Sequence, residues 1–374
     1  MTTAHKISPS FTPEVQSAVQ GVLPAGDNSS IGTDLVGWNG FKKILDEGVQ
    51  AGKLFTSDVV STYSLVYTTT NAYTGGVLAP NGDIHFVPRS ANRGQKVSIS
   101  GVVSTYSLVY TATNAYSGGV LAPNGDIHFV PYSANRGQKI SASGVVSTYS
   151  LAYTTSTAYS GGVLAPNGDI HFVPTRANLG QKINFATGLP TTYSLAYTTT
   201  VAYSGGVLAP NGDIHFVPDS AVVGQKIDFT TGLATTYSLV YTATNAYFGG
   251  VLSPNGDIHF VPNNQGGQKI DINGFVSTYN RFTDKYSGGV LAPNGDIHFV
   301  PDSAVVRQKI SSSGVVSTYS LVYTTTNAYT GGVLAPNGDI HFVPRSADRG
   351  QVIRNNSGFT FPKGTILHPY LNKL

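Results

Sequence analysis

Residues 75–88 of this chain read GGVLAPNGDIHFVP, and this stretch decides the fold. It occurs seven times with at most small changes, beginning at Gly75, Gly118, Gly161, Gly205, Gly249, Gly288 and Gly331. The copies follow one another at intervals of 39 to 44 residues. A regular period of this length with strand-like content is typical of propeller blades. The sequence therefore predicts an all-β protein, a seven-bladed β-propeller.

Each repeat holds enough strand-forming sequence for a four-stranded blade. In the first repeat the predicted strands are Gly75–Pro80, Asp83–Pro88, Gln95–Ser98 and Val102–Thr111. Asn81-Gly82 separates the first two strands, and this dipeptide predicts a tight hairpin with a type I′ turn. The Gly pair is expected near the propeller axis, where only small side chains fit.

The ends of the repeat array predict how the ring closes. A VVSTYSLVYT segment at Val59–Thr68 precedes the first GGV motif, whereas no such segment follows the last one. An extra fourth strand at the start and a missing one at the end indicate that residues 59–68 complete the last blade. Closure of this kind protects sheet edges that an open array would expose.

The non-repetitive ends divide the chain into three predicted parts: residues 1–53, the propeller at 54–358, and a tail at 359–374. The first part predicts short helices over about Thr12–Val22 and Gly40–Ala51, with Val15, Val19 and Phe41 among their apolar positions. Isolated helices this short are marginal in water, so they must dock. Docking onto the propeller and docking onto another subunit both stay open.

Every repeat carries an Asp-x-His pair in its second strand. The pairs are Asp83 and His85, Asp126 and His128, Asp169 and His171, Asp213 and His215, Asp257 and His259, Asp296 and His298, and Asp339 and His341. Both side chains project from one strand face and could bind a metal. A histidine between blades is more often neutral and hydrogen-bonded to hydroxyls. We therefore expect a structural role, with no metal and no cofactor.

The titratable residues recur identically in every blade, whereas an active site needs groups in different environments. No GxSxG, HExxH or phosphate-binding glycine motif is present. The sequence therefore predicts that the chain is not an enzyme. A net charge of +3 without basic clusters predicts no nucleic-acid partner. No apolar run reaches 18 residues, so no membrane insertion is expected.

Two sets of residues are candidates for ligand binding. The first is the tyrosine before each Gly pair, which could stack on a sugar ring, namely Tyr73, Tyr116, Tyr159, Tyr203, Tyr247, Tyr286 and Tyr329. The alternative for these tyrosines is packing between blades. The second set lies after each FVP, where the repeats differ most, and includes Arg89, Tyr132, Thr175 and Asp219. Variable loop residues are expected to be exposed, which makes this set the better candidate.

The GGVLAPNG motif with its following I-x-x-x-P resembles propeller repeats of kelch-like and tachylectin-like proteins of microbes and viruses. This resemblance implies ligand or glycan recognition, or scaffolding, and transfers no individual site residue. Together with the missing signal peptide it leads us to expect a virion component of a tailed phage or similar virus. Its expected partners are other virion proteins, bound through residues 1–53 and the C-terminal tail, and a host surface glycan. The alternative is a cytoplasmic lectin or protein-interaction scaffold.

Overall fold

The computed structural model describes residues 59–279, 285–303 and 306–354. The regular secondary structure of these residues consists of 28 β-strands. The strands form seven separate four-stranded antiparallel sheets. The predicted seven-bladed propeller of four-stranded blades is therefore confirmed. The predicted helices at residues 12–22 and 40–51 and the tail at 359–374 lie outside the described residues. No described helix is long and apolar enough to cross a membrane.

The strands fall into four classes by their place in the blade. The first, innermost strands are β2 Tyr73–Leu78, β6 Tyr116–Leu121, β10 Tyr159–Leu164, β14 Tyr203–Leu208, β18 Tyr247–Leu252, β22 Tyr286–Leu291 and β26 Tyr329–Leu334. The second strands are β3 Ile84–Pro88, β7 Ile127–Pro131, β11 Ile170–Pro174, β15 Ile214–Pro218, β19 Ile258–Pro262, β23 Ile297–Pro301 and β27 Ile340–Pro344.

The third and fourth strands make the outer half of each blade. The third strands are β4 Arg93–Val97, β8 Gly137–Ile140, β12 Leu179–Ile183, β16 Val223–Ile227, β20 Gly267–Ile270, β24 Val306–Ile310 and β28 Arg349–Arg354. The fourth strands are β5 Val103–Ser107, β9 Val146–Tyr149, β13 Pro190–Ser194, β17 Ala234–Ser238, β21 Val276–Tyr279, β25 Val316–Ser320 and, for the last blade, β1 Val59–Ser64.

The last blade closes the ring as predicted. Its strand order is β1, β28, β27, β26, so the first strand of the chain is the outer strand of the final sheet. Val59 pairs with Arg354 and Ser64 with Arg349, in an unbroken antiparallel register. The ring therefore needs no residue before Val59 or after Arg354 for its closure.

The hairpin between the first and second strands differs from the predicted type I′ turn, which requires positive φ at both central residues. Within this hairpin of the first blade, residues 79–83, only Gly82 has positive φ, at 87°, and its N–H donates to the Ala79 carbonyl at 2.9 Å. Pro80 therefore occupies the second turn position, where its ring holds φ negative. The prediction was wrong because it considered the Asn-Gly pair without the proline before it.

Neighbouring blades pack through glycines of the inner strands. A Cβ added to Gly76 would lie 2.7 Å from Val333 Cγ2 and 3.0 Å from Val343 Cγ2 of the last blade. Only glycine therefore lets adjacent sheets approach this closely. Gly75 itself has φ of 77°, at the irregularity where the register between the first two strands shifts.

At the blade interfaces whose residues are described, a buried glutamine of one blade is hydrogen-bonded to the backbone that follows the fourth strand of the preceding blade. Gln95 Oε1 accepts hydrogen bonds from the backbone N–H groups of Val66 at 3.0 Å and Tyr67 at 2.8 Å. Val66 and Tyr67 follow β1 and thus belong to the preceding blade. The side chain is 0% exposed, so these bonds are shielded from water and help to hold the two blades together.

The strand directions give the propeller two distinct faces. The first-to-second and third-to-fourth turns, at residues 79–82 and 98–102 in the first blade, lie on one face, which we call the hairpin face. The connections after the second and fourth strands, at residues 89–92 and 108–115 for the first blade, lie on the opposite face, which we call the loop face. Val59 begins β1 and Arg354 ends β28, so both ends of the described propeller lie on the hairpin face.

Candidate functional site

A pocket of about 270 Å³ opens where the inner strands meet on the loop face. We call it the axial pocket. All seven blades contribute to it, each through the residue that follows its FVP motif. These seven residues are Arg89, Tyr132, Thr175, Asp219, Asn263, Asp302 and Arg345. The structure thus brings together the four loop residues that the sequence singled out. The expectation that they are exposed was wrong, because Thr175 and Asp219 are buried and Arg89 and Tyr132 are half-buried where the blades converge.

The prediction covered the loop after every FVP but did not single out three members of this set, Asn263, Asp302 and Arg345. They occupy the same repeat position as the four that it named, so extending that position to every blade would have found them. What the repeat could not show is that the side chains converge on the axis, because convergence depends on how the blades are arranged around the ring.

The backbone presents these seven side chains in nearly the same way. The N–H of Arg89 donates to the Ala72 carbonyl of its own blade at 2.9 Å, and its carbonyl accepts the Ala115 N–H of the next blade at 2.7 Å. Asp219 repeats the arrangement, with Ala202 at 3.0 Å and Ala246 at 2.7 Å. Near-identical repeats therefore place five different residue types on similar backbone at seven equivalent positions.

Positive charge lies on the side of the first and last blades. The Arg89 guanidinium stands over the Tyr132 ring at 5.1 Å and donates through Nε to Asn114 Oδ1 at 2.9 Å. Arg345 donates through Nε to Asn71 Oδ1 at 2.9 Å and lies 3.3 Å from Asp302 Oδ1. These contacts orient both guanidinium groups at the rim of the pocket.

Negative charge lies on the opposite side, in the fourth blade. Asp219 is 3% exposed, and the Ser220 hydroxyl donates to its Oδ1 at 3.3 Å. Among the described residues Asp219 takes part in no salt bridge, whereas Asp302 does. Burial raises the pKa of the Asp219 carboxyl to about 6, against the lowering effect of its hydrogen bonds. The pocket therefore holds an acceptor whose charge depends on pH near neutrality.

A second ring of side chains lies below the first, at the position between the repeated tyrosine and each Gly pair. It consists of Thr74, Ser117, Ser160, Ser204, Phe248, Ser287 and Thr330. Six are hydroxyls, and Phe248 alone is apolar. The Thr74 and Ser204 hydroxyl oxygens are buried and have no hydrogen-bond partner in the described protein. Buried hydroxyls without partners are uncommon, so both are free to bond a polar group that enters the pocket.

Of the seven tyrosine candidates, only Tyr286 is part of the pocket lining. All seven are 0% exposed, namely Tyr73, Tyr116, Tyr159, Tyr203, Tyr247, Tyr286 and Tyr329. The Tyr73 hydroxyl donates to the Arg93 carbonyl at 3.1 Å, and its ring packs against Phe86 at 5.7 Å between centroids. The rings of Tyr73, Tyr116 and Tyr159 are therefore part of the blade core, as in the packing alternative, and a binding role for them stays a prediction.

The repeated histidines lie inside the blades and face tyrosines of the fourth strands. His85 Nδ1 lies 3.2 Å from the Tyr106 hydroxyl, and His341 Nδ1 lies 3.3 Å from the Tyr63 hydroxyl across the ring closure. Burial lowers the pKa of six of these histidines to about 4 and that of His298 to about 3. At neutral pH all seven are therefore uncharged.

The repeated aspartates each meet a cation that the sequence analysis did not pair with them. Lys96 Nζ lies 2.7 Å from Asp83 Oδ2, and the same ion pair occurs in the first six blades. In the last blade Val352 replaces the lysine, and Arg354 donates instead to Asp339 Oδ2 at 2.9 Å. Within the described residues no group of three or more histidine and acidic side chains could hold a metal ion.

No family model matches this sequence, and no curated protein matches it either. Similar solved structures include a streptogramin B lyase, 21% identical with a TM-score of 0.67, over 79% of this chain and 97% of that one. A catalytically inactive virginiamycin B lyase from Staphylococcus aureus with quinupristin is 18% identical with a TM-score of 0.69, over 79% and 98%. An auxiliary nutrient binding protein from Bacteroides ovatus is 13% identical with a TM-score of 0.55, over 79% and 76%.

At these identities the comparisons show the propeller fold alone. They nevertheless correct the prediction that the chain is not an enzyme, because a lyase has this fold over nearly its whole length. The prediction assumed that near-identical blades give every titratable group the same surroundings. The axial pocket contradicts that assumption, since Arg89, Asp219 and Asp302 occupy equivalent positions with different neighbours. The kelch-like or tachylectin-like kind of repeat stays a prediction.

Proposed function

We propose that this chain is a binding protein whose axial pocket takes one unit of a polyhydroxylated ligand, a saccharide. One observation carries the proposal. Seven nearly identical repeats place five different residue types at a single backbone position, and all seven side chains line one pocket. Variation concentrated at the point where the blades converge is the pattern that recognition of one asymmetric ligand requires.

The chemistry of the lining suits a saccharide. A sugar hydroxyl both donates and accepts, so its site needs both kinds of partner within one small space. Arg89 and Arg345 supply donors, Asp219 and Asn263 supply acceptors, and the buried hydroxyls of the second ring can act as either. A volume of about 270 Å³ lies near the lower end for ligand sites, of about 300 Å³, and suits a single sugar unit.

The position of the chain ends supports display on a surface. Both ends leave from the hairpin face, whereas the pocket opens on the loop face. Attachment through the hairpin face would therefore point the pocket outward. We include in the proposal that the chain is a virion component attached near its ends, with the saccharide on a host surface. Mass spectrometry of purified particles tests this part, and absence of the chain from particles would favour the cytoplasmic lectin.

Changing the pocket should weaken saccharide binding. We expect Asp219→Asn to weaken binding by about tenfold or more, because a hydrogen bond to a charged group contributes about 1.5–3 kcal/mol. The measurement is a glycan array with the full chain, followed by calorimetric titration with the best free sugar. Asp348→Asn is the matched control, since Asp348 is exposed and lies on the loop face outside the pocket lining.

Two results would contradict the proposal. If the unaltered chain binds no glycan on the array, the saccharide class is wrong. If Asp219→Asn and Asp348→Asn bind as tightly as the unaltered chain while both remain folded, the axial pocket is not the site. Circular dichroism melting of each variant separates loss of binding from loss of fold.

A further inference from the structure

A ring of exposed apolar side chains lies on the hairpin face, opposite the axial pocket. In each blade one residue directly precedes or begins the fourth strand and is left in solvent. These residues are Val59, Val102, Val145, Leu189, Leu233, Phe275 and Val315, and they are 47–72% exposed. We call them the apolar ring. No polar residue interrupts the set, although the surrounding hairpins are rich in Ser, Gly and Asn.

The apolar ring is not required by the blades themselves. The core of each sheet is filled by buried residues such as Val97, Ile84 and Phe86, which are at most 2% exposed. Single exposed apolar residues are ordinary on protein surfaces, but a complete set at one register on one face indicates an interaction surface. A serine or threonine would serve a solvent-facing hairpin equally well.

Both ends of the described chain lie on this ring. Val59 is itself a member, and it is the first described residue after 58 others. Arg354 pairs with Val59 across the sheet, so the last 20 residues also depart from the same place. A segment joined directly to a surface has a high effective concentration there, which favours it over any free partner.

The N-terminal segment has the composition that such a surface would bind. Its two predicted helices carry apolar positions at Val15, Val19 and Val22 and at Phe41, Ile44 and Leu45. Helices of about a dozen residues gain most of their stability from packing an apolar stripe. The residues of the apolar ring are exposed, and the N-terminal segment joins the described chain at Val59, a member of that ring.

We infer that residues 1–57 pack their apolar positions onto the apolar ring of their own propeller. The segment and the hairpin face then form one base, and the axial pocket stays open on the other face. This arrangement decides between the two docking modes that the sequence left open, in favour of the propeller over another subunit.

Hydrogen exchange on the full chain tests the inference. In the unaltered protein the amides of residues 12–22 and 40–51 should exchange more slowly than in an unstructured peptide. Changing three ring members, Leu189→Ser, Leu233→Ser and Phe275→Ser, should speed exchange in these segments by about tenfold or more, because their packing surface is removed. These three side chains are exposed, so the blades should keep their own protection.

The matched control removes exposed apolar side chains that follow the fourth strands, Val109→Ser and Val240→Ser. It should leave exchange at residues 12–22 and 40–51 unchanged. Equal exchange in the ring variant and the control would overturn the inference, as would unprotected segments in the unaltered chain. A dimer in light scattering that the ring variant converts to a monomer would also overturn it, by assigning the ring to a second copy.

Discussion

Acidification should unfold this propeller cooperatively, with a midpoint between about pH 6.5 and pH 4. The seven buried histidines are uncharged when folded, because burial lowers their pKa from 6.5 to about 4, or about 3 for His298. In the unfolded chain they titrate near 6.5. Between these values the unfolded state binds more protons, so the free energy of unfolding falls as the pH falls.

The expected size of this effect exceeds the stability of an ordinary domain. Each histidine contributes roughly 3 kcal/mol over this interval, since one pKa unit corresponds to about 1.4 kcal/mol. Seven together contribute on the order of 20 kcal/mol, whereas domains unfold at about 5–15 kcal/mol. The slope should reach about 9 kcal/mol per pH unit where the unfolded state carries nearly seven extra protons.

Urea titrations from pH 7.5 to pH 4.5 measure this slope. A variant with His128→Gln, His171→Gln and His215→Gln should give a slope lower by about three sevenths, whatever its absolute stability. Its comparison with the unaltered chain isolates the histidines from the carboxylates. Asp83 adds to acid sensitivity only at lower pH, because its pKa is lowered by Lys96 although burial opposes this. An unfolding free energy that stays constant from pH 7 to pH 4.5 would refute the prediction.

Removing β1 should abolish the cooperative fold. A chain that begins at residue 65 lacks Val59–Ser64, which pairs along its full length with β28. It also loses the Tyr63 hydroxyl beside His341 Nδ1 and the Tyr63 ring packed on Gly350. The unpaired edge of β28 would be open to pairing with other chains. We expect aggregation and no sharp thermal transition by circular dichroism.

A chain that begins at residue 58 is the matched control and should melt cooperatively, since it keeps all 28 strands. A circular permutant that carries residues 58–72 after a short linker behind Arg354 should recover the transition. It restores the fourth strand of the last blade without its original connection. A monomeric chain beginning at residue 65 that melts within a few degrees of the control would show that β1 is dispensable.

Most of the architecture followed from the repeat itself. The period predicted the blades, and the surplus VVSTYSLVYT segment predicted which strand closes the ring. Both are local or topological properties of the sequence, because a strand is specified by its own residues and by the turn that follows it. The turn between the first two strands is also a local property. Its type was mispredicted because the prediction left out Pro80, which holds φ negative at the second turn position.

The two sets of binding candidates differ in a property that the sequence did not show, namely whether the side chain lies in the blade core or in the pocket. Tyr73 and Arg89 are both polar residues beside strands, and the sequence offered both as ligand contacts. In the structure Tyr73 lies in the core beneath Phe86, whereas Arg89 lines the axial pocket. Burial is decided by the neighbouring strands and blades, and no property of a single repeat reports it.

The sequence by itself determined seven blades, four strands in each, the closing strand and the repeat position at which chemistry varies. Only the tertiary structure decided that this position converges on one axis, so that Arg89, Asp219 and Asp302 share a pocket. It also decided that Lys96 forms an ion pair with Asp83 and that Arg354 forms one with Asp339. The physical reason is that strands and turns arise from short-range preferences, whereas pockets and ion pairs need distances between segments that only ring closure sets.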